Sequence, residues 1–419
     1  AASRPHDRAP APATYDVCLQ GLPAGNRLCC VRVVRAGKHE SAVAAAELPP
    51  LDVEFLARAT PPLRSASVAV WRDEVVIDGV QQVNDDVSIE PGTVVRLGPG
   101  ACILFRGRVT AAGTRERPIR FEPKSRDQEP WGTVALRGPA CSRSALQWCN
   151  MRGGSGYTAP LEQYSSMFSI HDCEQVSVAD CAFAKNHDCD DMIHAVYASV
   201  VFDRATITGA PGDGLGCDLS TVVIRNCSFE RCKNDGVDLM ATRASIHDCR
   251  FEHAGDKGIS IGERSHLLAL RNRFVSCDIA MEARNGSIAH VANCDVRRCT
   301  RAMDARKKNW RYDSGGFLTV YKSVVVDNEA SPTADRWSRL ELIDCQVTGE
   351  LAAHWDQQNL DGTTTRVQNM ARIVDGDAGP EPRHVHPLPF PEDLRAFERL
   401  FAETWSSLRA GTRGVPDDH

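Results

Sequence analysis

Carboxylates and cations recur in this 419-residue chain at a fixed spacing. Asp191, Asp213 and Asp235 lie 22 residues apart, and Lys257, Ile279 and Arg301 continue the series. Three residues on, a second series reads His194, Gly216, Asp238, Ser260, Glu282 and Asp304. A third, two residues further, reads Val196, Asp218, Met240, Gly262, Arg284 and Arg306, with Glu263, Lys307 and Lys308 at its margin. If each series forms a column, one surface collects carboxylates, a lysine and arginines. Three aspartates stacked roughly 4.8 Å apart repel one another unless a hard cation such as Ca²⁺ sits among them. Asp191, Asp213 and Asp235 are therefore the candidate metal ligands. Such a cation could bridge to a uronate carboxylate and acidify the neighbouring C–H, with Lys257 or Arg284 taking the proton in a β-elimination. The same surface offers hydrolysis by a carboxylate pair. Asp238 and Glu282, two repeats apart, approach the roughly 6.5–9.5 Å of an inverting pair, while Glu282 and Asp304 suit the roughly 5 Å of a retaining one. His194, Asp218, Glu263, Arg306, Lys307 and Lys308 are the candidate substrate contacts.

The elements that would position these groups can be read from the residues between them. Ile193, Leu215, Val237, Ile259, Met281 and Met303 form one apolar series, and Ala195, Cys217, Leu239, Ile261, Ala283 and Ala305 a second, two positions on. Apolar–polar alternation with period two is the strand signature. Each repeat holds two or three short strands, and a single coil cannot bury its own apolar face, so coils must stack into a continuous core. The predicted fold is all-β, a parallel β-helix. Asn226, Asp248, Asn272 and Asn293 are expected to form a ladder of turn residues. One irregular coil, "ERSHLLALRNRF", is expected to slip the register by one after Ser260. Asp-Gly at a coil corner also has a purely structural explanation, because Asp caps the bend and Gly permits positive φ.

An earlier stretch, "VSIEPGTVVRLGPGACILFRGRVTAAGT", continues the pattern with Pro-Gly and Gly-Pro turns. Its phrasing resembles the opening coils of the right-handed parallel β-helix class, the pectin-lyase-like or carbohydrate-binding and sugar-hydrolase repeats, over about residues 78–350. The resemblance implies a right-handed solenoid and a polysaccharide or oligosaccharide substrate; the class contains lyases, hydrolases, epimerases and non-catalytic proteins. The charged face looks like that of pectate lyases. "NDGVD" (234–238) resembles an element of polygalacturonase-type hydrolases, which carries over Asp235 and Asp238 as candidates. There the pattern departs, since Asp256-Lys257 stands where Asp-Asp is expected and no Gly-His-Gly or Arg-Ile-Lys follows. "GDKGISIGE" (255–263) also resembles β-helical segments of bacterial proteins without assigned chemistry. The expected function is thus cleavage or modification of an acidic glycan, elimination before hydrolysis. A non-catalytic binding or scaffold module is the alternative.

Residues 1–77 read as an N-terminal β appendage or cap, 78–350 as the solenoid, and 351–419 as a tail. Within the tail, "PEDLRAFERLFAETWSSLRAG" (391–411) has the spacing of an amphipathic capping helix. The net charge of −6 gives no argument for nucleic-acid binding, and no apolar run approaches the roughly 18 residues of a membrane span. Seventeen cysteines, an odd number and mostly inside the repeat, point to stacked buried thiols rather than disulfides. Thiols favour a reducing compartment, whereas the fold class suggests secretion or the periplasm. "HDCDDMIH" (187–194) has metal-like composition but no strong zinc spacing. The oligomeric state is not read from the sequence.

Overall fold

The computed structural model describes residues 68–160, 162–343 and 345–347, together with the strands Thr364–Gln368 and Ala371–Arg372. The chain divides into a unit Ala1–Ser65 and a unit Ala66–His419. The expected capping helix (391–411) and most of the expected appendage lie outside the described residues.

The described chain is a parallel β-helix. Its strands run into three long sheets of thirteen, thirteen and eleven strands, in each of which every neighbour comes from the preceding or following coil. We call them sheets 1, 2 and 3; they begin with Val68–Trp71, Glu74–Ile77 and Val80–Val83 respectively. The first described strand of the solenoid, Val68–Trp71, lies ten residues ahead of the predicted boundary at 78. One antiparallel hairpin, Tyr157–Ala159 with Glu162–Tyr164, interrupts the winding. A parallel sheet buried on its inner face needs an apolar residue at every second position, and the interior is filled accordingly. Both predicted apolar series of sheet 3 are sealed at 0% exposure. Phe229, Phe251 and Phe274 stack along sheet 2 with centroids 5.0 and 4.9 Å apart.

Turns between the sheets are stitched by side-chain ladders that satisfy backbone groups the sheets leave over. Cys249 Sγ accepts from Cys227 N, Asn272 Oδ1 from Cys249 N, Cys294 Sγ from Asn272 N and Ser323 Oγ from Cys294 N. A hydroxyl ladder does the same through Ser220, Thr242, Ser265 and Ser287. The described cysteines are all free, and all but Cys189 are buried, as the sequence predicts.

The irregular coil turns out differently from expectation. Arg243 pairs with His266 and Phe251 with Phe274, a step of 23, yet Ser260 pairs with Glu282 and Lys257 with Ile279, a step of 22. The extra residue is absorbed at Glu263-Arg264, both at positive φ, and given back before Ile279. Sheet 3 therefore keeps its register without a slip. The same insertion moves Asn272 into the cysteine ladder, and Arg271 takes the turn position beside Asn226, Asp248 and Asn293, all four at φ of 50–57°.

Candidate functional site on the outer face of sheet 3

Register places the three charged series side by side. His194 pairs with Gly216, Gly216 with Asp238, Asp238 with Ser260, Ser260 with Glu282, and Glu282 with Asp304. Asp191 pairs with Asp213, and Lys257 with Ile279 and then Arg301. Arg284 pairs with Arg306. All fourteen predicted site residues thus fall on this face or its margin, and neighbouring coils bring all but Lys307 and Lys308 into three groups.

The first group surrounds His194. Its Nε2 lies 3.2 Å from Asp218 Oδ2, and its Nδ1 lies 3.0 Å from Ser165 Oγ and 3.7 Å from Asp191 Oδ2. Burial works to lower the His194 pKa, but the hydrogen bond to Asp218 and the Asp191 charge outweigh it, and the net direction is up. The Asp191 carboxyl lies across Gly216, where a Cβ would stand 2.4 Å from Asp191 Oδ1. Burial pushes Asp191 up to about 7, against the pull of His194.

The second group is acidic. Among the described residues, Asp213, Asp235 and Asp238 are a set of carboxylates whose oxygens lie within 4.8 Å of one another. Asp191 is not in it; the predicted ligand trio is corrected to one in which Asp238 takes its place. The reason is local: the Asp191 carboxyl is engaged by Ser165 and His194. Asp213 Oδ1 accepts from Asn234 Nδ2 at 2.6 Å and Asp235 N at 2.7 Å, and Asp235 Oδ1 from Lys257 N at 2.9 Å. Burial, with the Asp235 charge adding to it, pushes Asp213 up to about 8. Burial also raises Asp235, to about 6, while Lys257 holds it back. Each of the pair keeps a second oxygen clear of these bonds, and oxygen donors of this kind fit a hard cation.

Lys257 is 3% exposed, with Nζ 3.4 Å from Asp235 Oδ1 and in contact with Asp256. Burial would lower its pKa, but the charges of Asp235 and Asp256 raise it overall. At neutral pH it is an ammonium ion, so its predicted role as a base is corrected to a counter-charge.

The third group is a ladder of alternating charge. Arg284 Nη2 lies 3.3 Å from Asp238 Oδ1 and 3.8 Å from Glu263 Oε2, and Nη1 lies 3.3 Å from Glu282 Oε1. Arg306 then contacts Glu282 Oε2 and reaches Asp304 Oδ2 at 3.7 Å. Thr333 Oγ1 donates to Asp304 Oδ1 at 2.7 Å. Arg284 can lie flat because residue 262 is glycine, whose Cβ would stand 2.9 Å from Nε. Three carboxylates raise the Arg284 pKa against its burial, so it too is no base. An arginine now occupies each gap that a hydrolytic pair would leave for water and sugar. Glu282 is sealed at 0% exposure beneath both guanidinium groups. In this arrangement a guanidinium stands between the carboxylates of each predicted pair, Glu282 with Asp238 and Glu282 with Asp304.

Two neighbours were not found from the sequence. Tyr164 is buried and His171 half-buried beside His194, with Tyr164 5.1 Å from His171 and His171 5.6 Å from His194, centroid to centroid. His171 Nε2 has no hydrogen-bond partner among the described residues. Burial and the adjacent His194 hold His171 down at about 3, in the neutral form. His171 pairs with Val196, so a step of 25 rather than 22 would have found it. Tyr164 ends the hairpin and carries no periodic signal. In "HDCDDMIH", His187 is exposed and Cys189 bonds Asn186, and no metal-like cluster forms there among the described residues.

Lys307 and Lys308 stand apart from the ladder. Lys307 Nζ lies over Trp337, 4.8 Å from its centroid. Lys308 borders a cleft of about 540 Å³ shared with Glu263, Arg284, Asn285, Trp310 and Arg311.

A family model described as a right handed beta helix region matches residues 166–347. The fold is a right-handed parallel β-helix. No curated protein matches the sequence. Among solved structures, the Agl-KA catalytic domain is similar at 9% identity and TM-score 0.48, over 77% of this chain and 65% of its own. The match thus spans just under two thirds of that protein's length. The periplasmic alginate epimerase AlgG is similar at 10% identity and TM-score 0.38, over 77% of this chain and 83% of its own. For an alginate lyase from Paenibacillus sp. str. FPU-7 the values are 12% and 0.26, over 68% and 92%. At this identity none of them says which residues of this chain act. Among the described residues, no helix is long and apolar enough to cross a membrane.

Proposed function

We propose that sheet 3 is the glycan-facing surface of a carbohydrate-active β-helix that acts on an acidic polysaccharide, by β-elimination at a uronate rather than by hydrolysis. One observation carries the choice: arginines fill the gaps between Asp238, Glu282 and Asp304, and Glu282 is sealed. Hydrolysis needs a free carboxyl pair with space for water. Elimination needs positive charge beside a carboxylate, a base at the adjacent C–H and a donor to the leaving oxygen. Arg284, 3.3 Å from Asp238, supplies the charge, with Arg306, whose side chain is 41% exposed, one coil beyond it. Asp238 is the partly exposed carboxylate between Arg284 and the Asp213/Asp235 pair, and takes the role of base. His194, whose pKa the hydrogen bond to Asp218 and the Asp191 charge raise against its burial, takes the role of donor. It stands two coils from Asp238, about 10 Å, a span that fits the sugar between them. Asp218 and Asp191 position His194, and Lys257 balances the charge of Asp235.

Ca²⁺ is proposed as a ligand of the acidic group, held by the oxygens that Asp213 and Asp235 leave free, with Asp238 at the rim. There it would add positive charge beside the uronate carboxylate. The test is the mass of products from polygalacturonate and alginate, with Ca²⁺ and with a chelator. Elimination gives an unsaturated fragment without added water. Products that carry added water would return the site to hydrolysis, and no products from any uronan would leave a binding module.

A further inference from the structure

We infer that the loop 307–314 forms a second subsite, which stacks and neutralises an anionic sugar of the same chain beyond the sheet 3 centre. This rests on the reading of sheet 3 as a surface for acidic glycan. The loop is an insertion: Asp304 pairs with Thr333 and Ile288 with Phe317, steps of 29 where neighbouring coils step 22, so seven residues are added. No strand needs them. The loop that carries them, 307–314, reads KKNWRYDS, which is unusually aromatic and basic for this chain.

The insertion is pinned rather than loose. Asn285 Oδ1 accepts from both Lys308 N and Asn309 N at 2.9 Å, while Asn285 Nδ2 donates to Glu263 Oε1 at 3.1 Å. Trp310 is nevertheless 83% exposed, and an indole held out in water by an anchored loop calls for a partner. Arg311 lies over it, 5.7 Å from the centroid, which fixes the ring and sets a cation beside it. A second half-exposed indole, Trp337, is flanked by Lys307 and Arg336 at 4.8 and 4.7 Å. The cleft of about 540 Å³ runs between this loop and Arg284, the residue that also touches Asp238.

A flat indole face matches the C–H face of a pyranose ring, and the adjacent cations match its carboxylate. Glu263 in the same cleft can accept from sugar hydroxyls, which every pyranose of a uronan presents and a DNA phosphate backbone lacks. The occupant is therefore a uronan segment, not a nucleic acid.

The test compares wild type, Trp310→Ala, Trp310→Phe and Asp238→Asn by calorimetric titration with polygalacturonate and alginate, with neutral dextran and single-stranded DNA alongside. Trp310→Ala is expected to weaken uronan binding at least tenfold with an unchanged melting temperature, and Trp310→Phe to recover most of the loss. Asp238→Asn is the non-cleaving background in which the Trp310 substitutions are also titrated, so that turnover of the polymer does not enter the heats. Uronan affinity in Trp310→Ala equal to wild type would overturn the subsite and leave the sheet 3 centre to be judged by its products. DNA binding tighter than uronan binding would overturn the glycan assignment of the loop. A wild type that binds no uronan would overturn the subsite together with the reading it rests on.

Discussion

Asp213→Asn should change how stability depends on pH. The carboxyl sits among Asp235, Asp238 and Asp191, and burial pushes its pKa from 3.8 to about 8 in the folded protein. A raised carboxyl binds its proton more tightly folded than unfolded. Its contribution is therefore fully present below the unfolded pKa of about 3.9 and is lost as pH rises through the folded value near 8. One such group costs about 1.4 kcal/mol per pH unit in that window. Between about pH 5 and about pH 8 the loss is on the order of 4 kcal/mol. Asparagine keeps Oδ1 to accept from Asn234 and Asp235 N, and its Nδ2 replaces the protonated oxygen. The variant should match wild type at about pH 5 and exceed it by a few kcal/mol at about pH 8, read from urea denaturation at several pH values. Ca²⁺ should stabilise wild type at the higher pH and Asp213→Asn much less, because the cation replaces the proton that the substitution makes permanent. A stability difference that stays constant across this range would refute the reasoning.

Other substitutions probe the same face. Arg284→Ala leaves Asp238, Glu263 and Glu282 without their shared cation and should cost about 3–5 kcal/mol, seen as a lower melting temperature; an unchanged melting temperature contradicts the ladder. Gly216→Ala puts a methyl 2.4 Å from Asp191 Oδ1 and should displace that carboxyl, lowering the His194 pKa in imidazole NMR titrations. An unmoved His194 titration would show that Asp191 does not hold it. With a thiol reagent on the native protein, Cys189 should react before the other described cysteines, which should wait for unfolding. Uniform reactivity would contradict the buried ladders.

The fold was legible because alternation and a 22-residue step each leave a clear trace, and both apolar series of sheet 3 match pair by pair. The register of the charged series followed with it. What each charge does there was not legible. Whether Lys257 is a base or a counter-ion depends on Asp235 and Asp256 closing on it, and whether Glu282 meets solvent depends on two arginines folding over it. Those are matters of side-chain direction, which a column of letters does not record. Asp191 illustrates the point, since its backbone pairs with Asp213 while its carboxyl turns to His194. Tyr164 escaped because it ends a hairpin that stands outside the repeat, and His171 because the coil that follows it takes 25 residues rather than 22. The Trp310 loop escaped for a similar reason, as an insertion lies between the repeats that a periodic alignment compares.

The most direct test is a time course of ultraviolet absorbance by unsaturated uronate, recorded with polygalacturonate and alginate for wild type and Asp238→Asn side by side. Absorbance should rise with wild type and stay flat once Asp238 can no longer take a proton. A wild type that yields no unsaturated product from either polymer, or an Asp238→Asn variant that yields it as fast, would contradict the account.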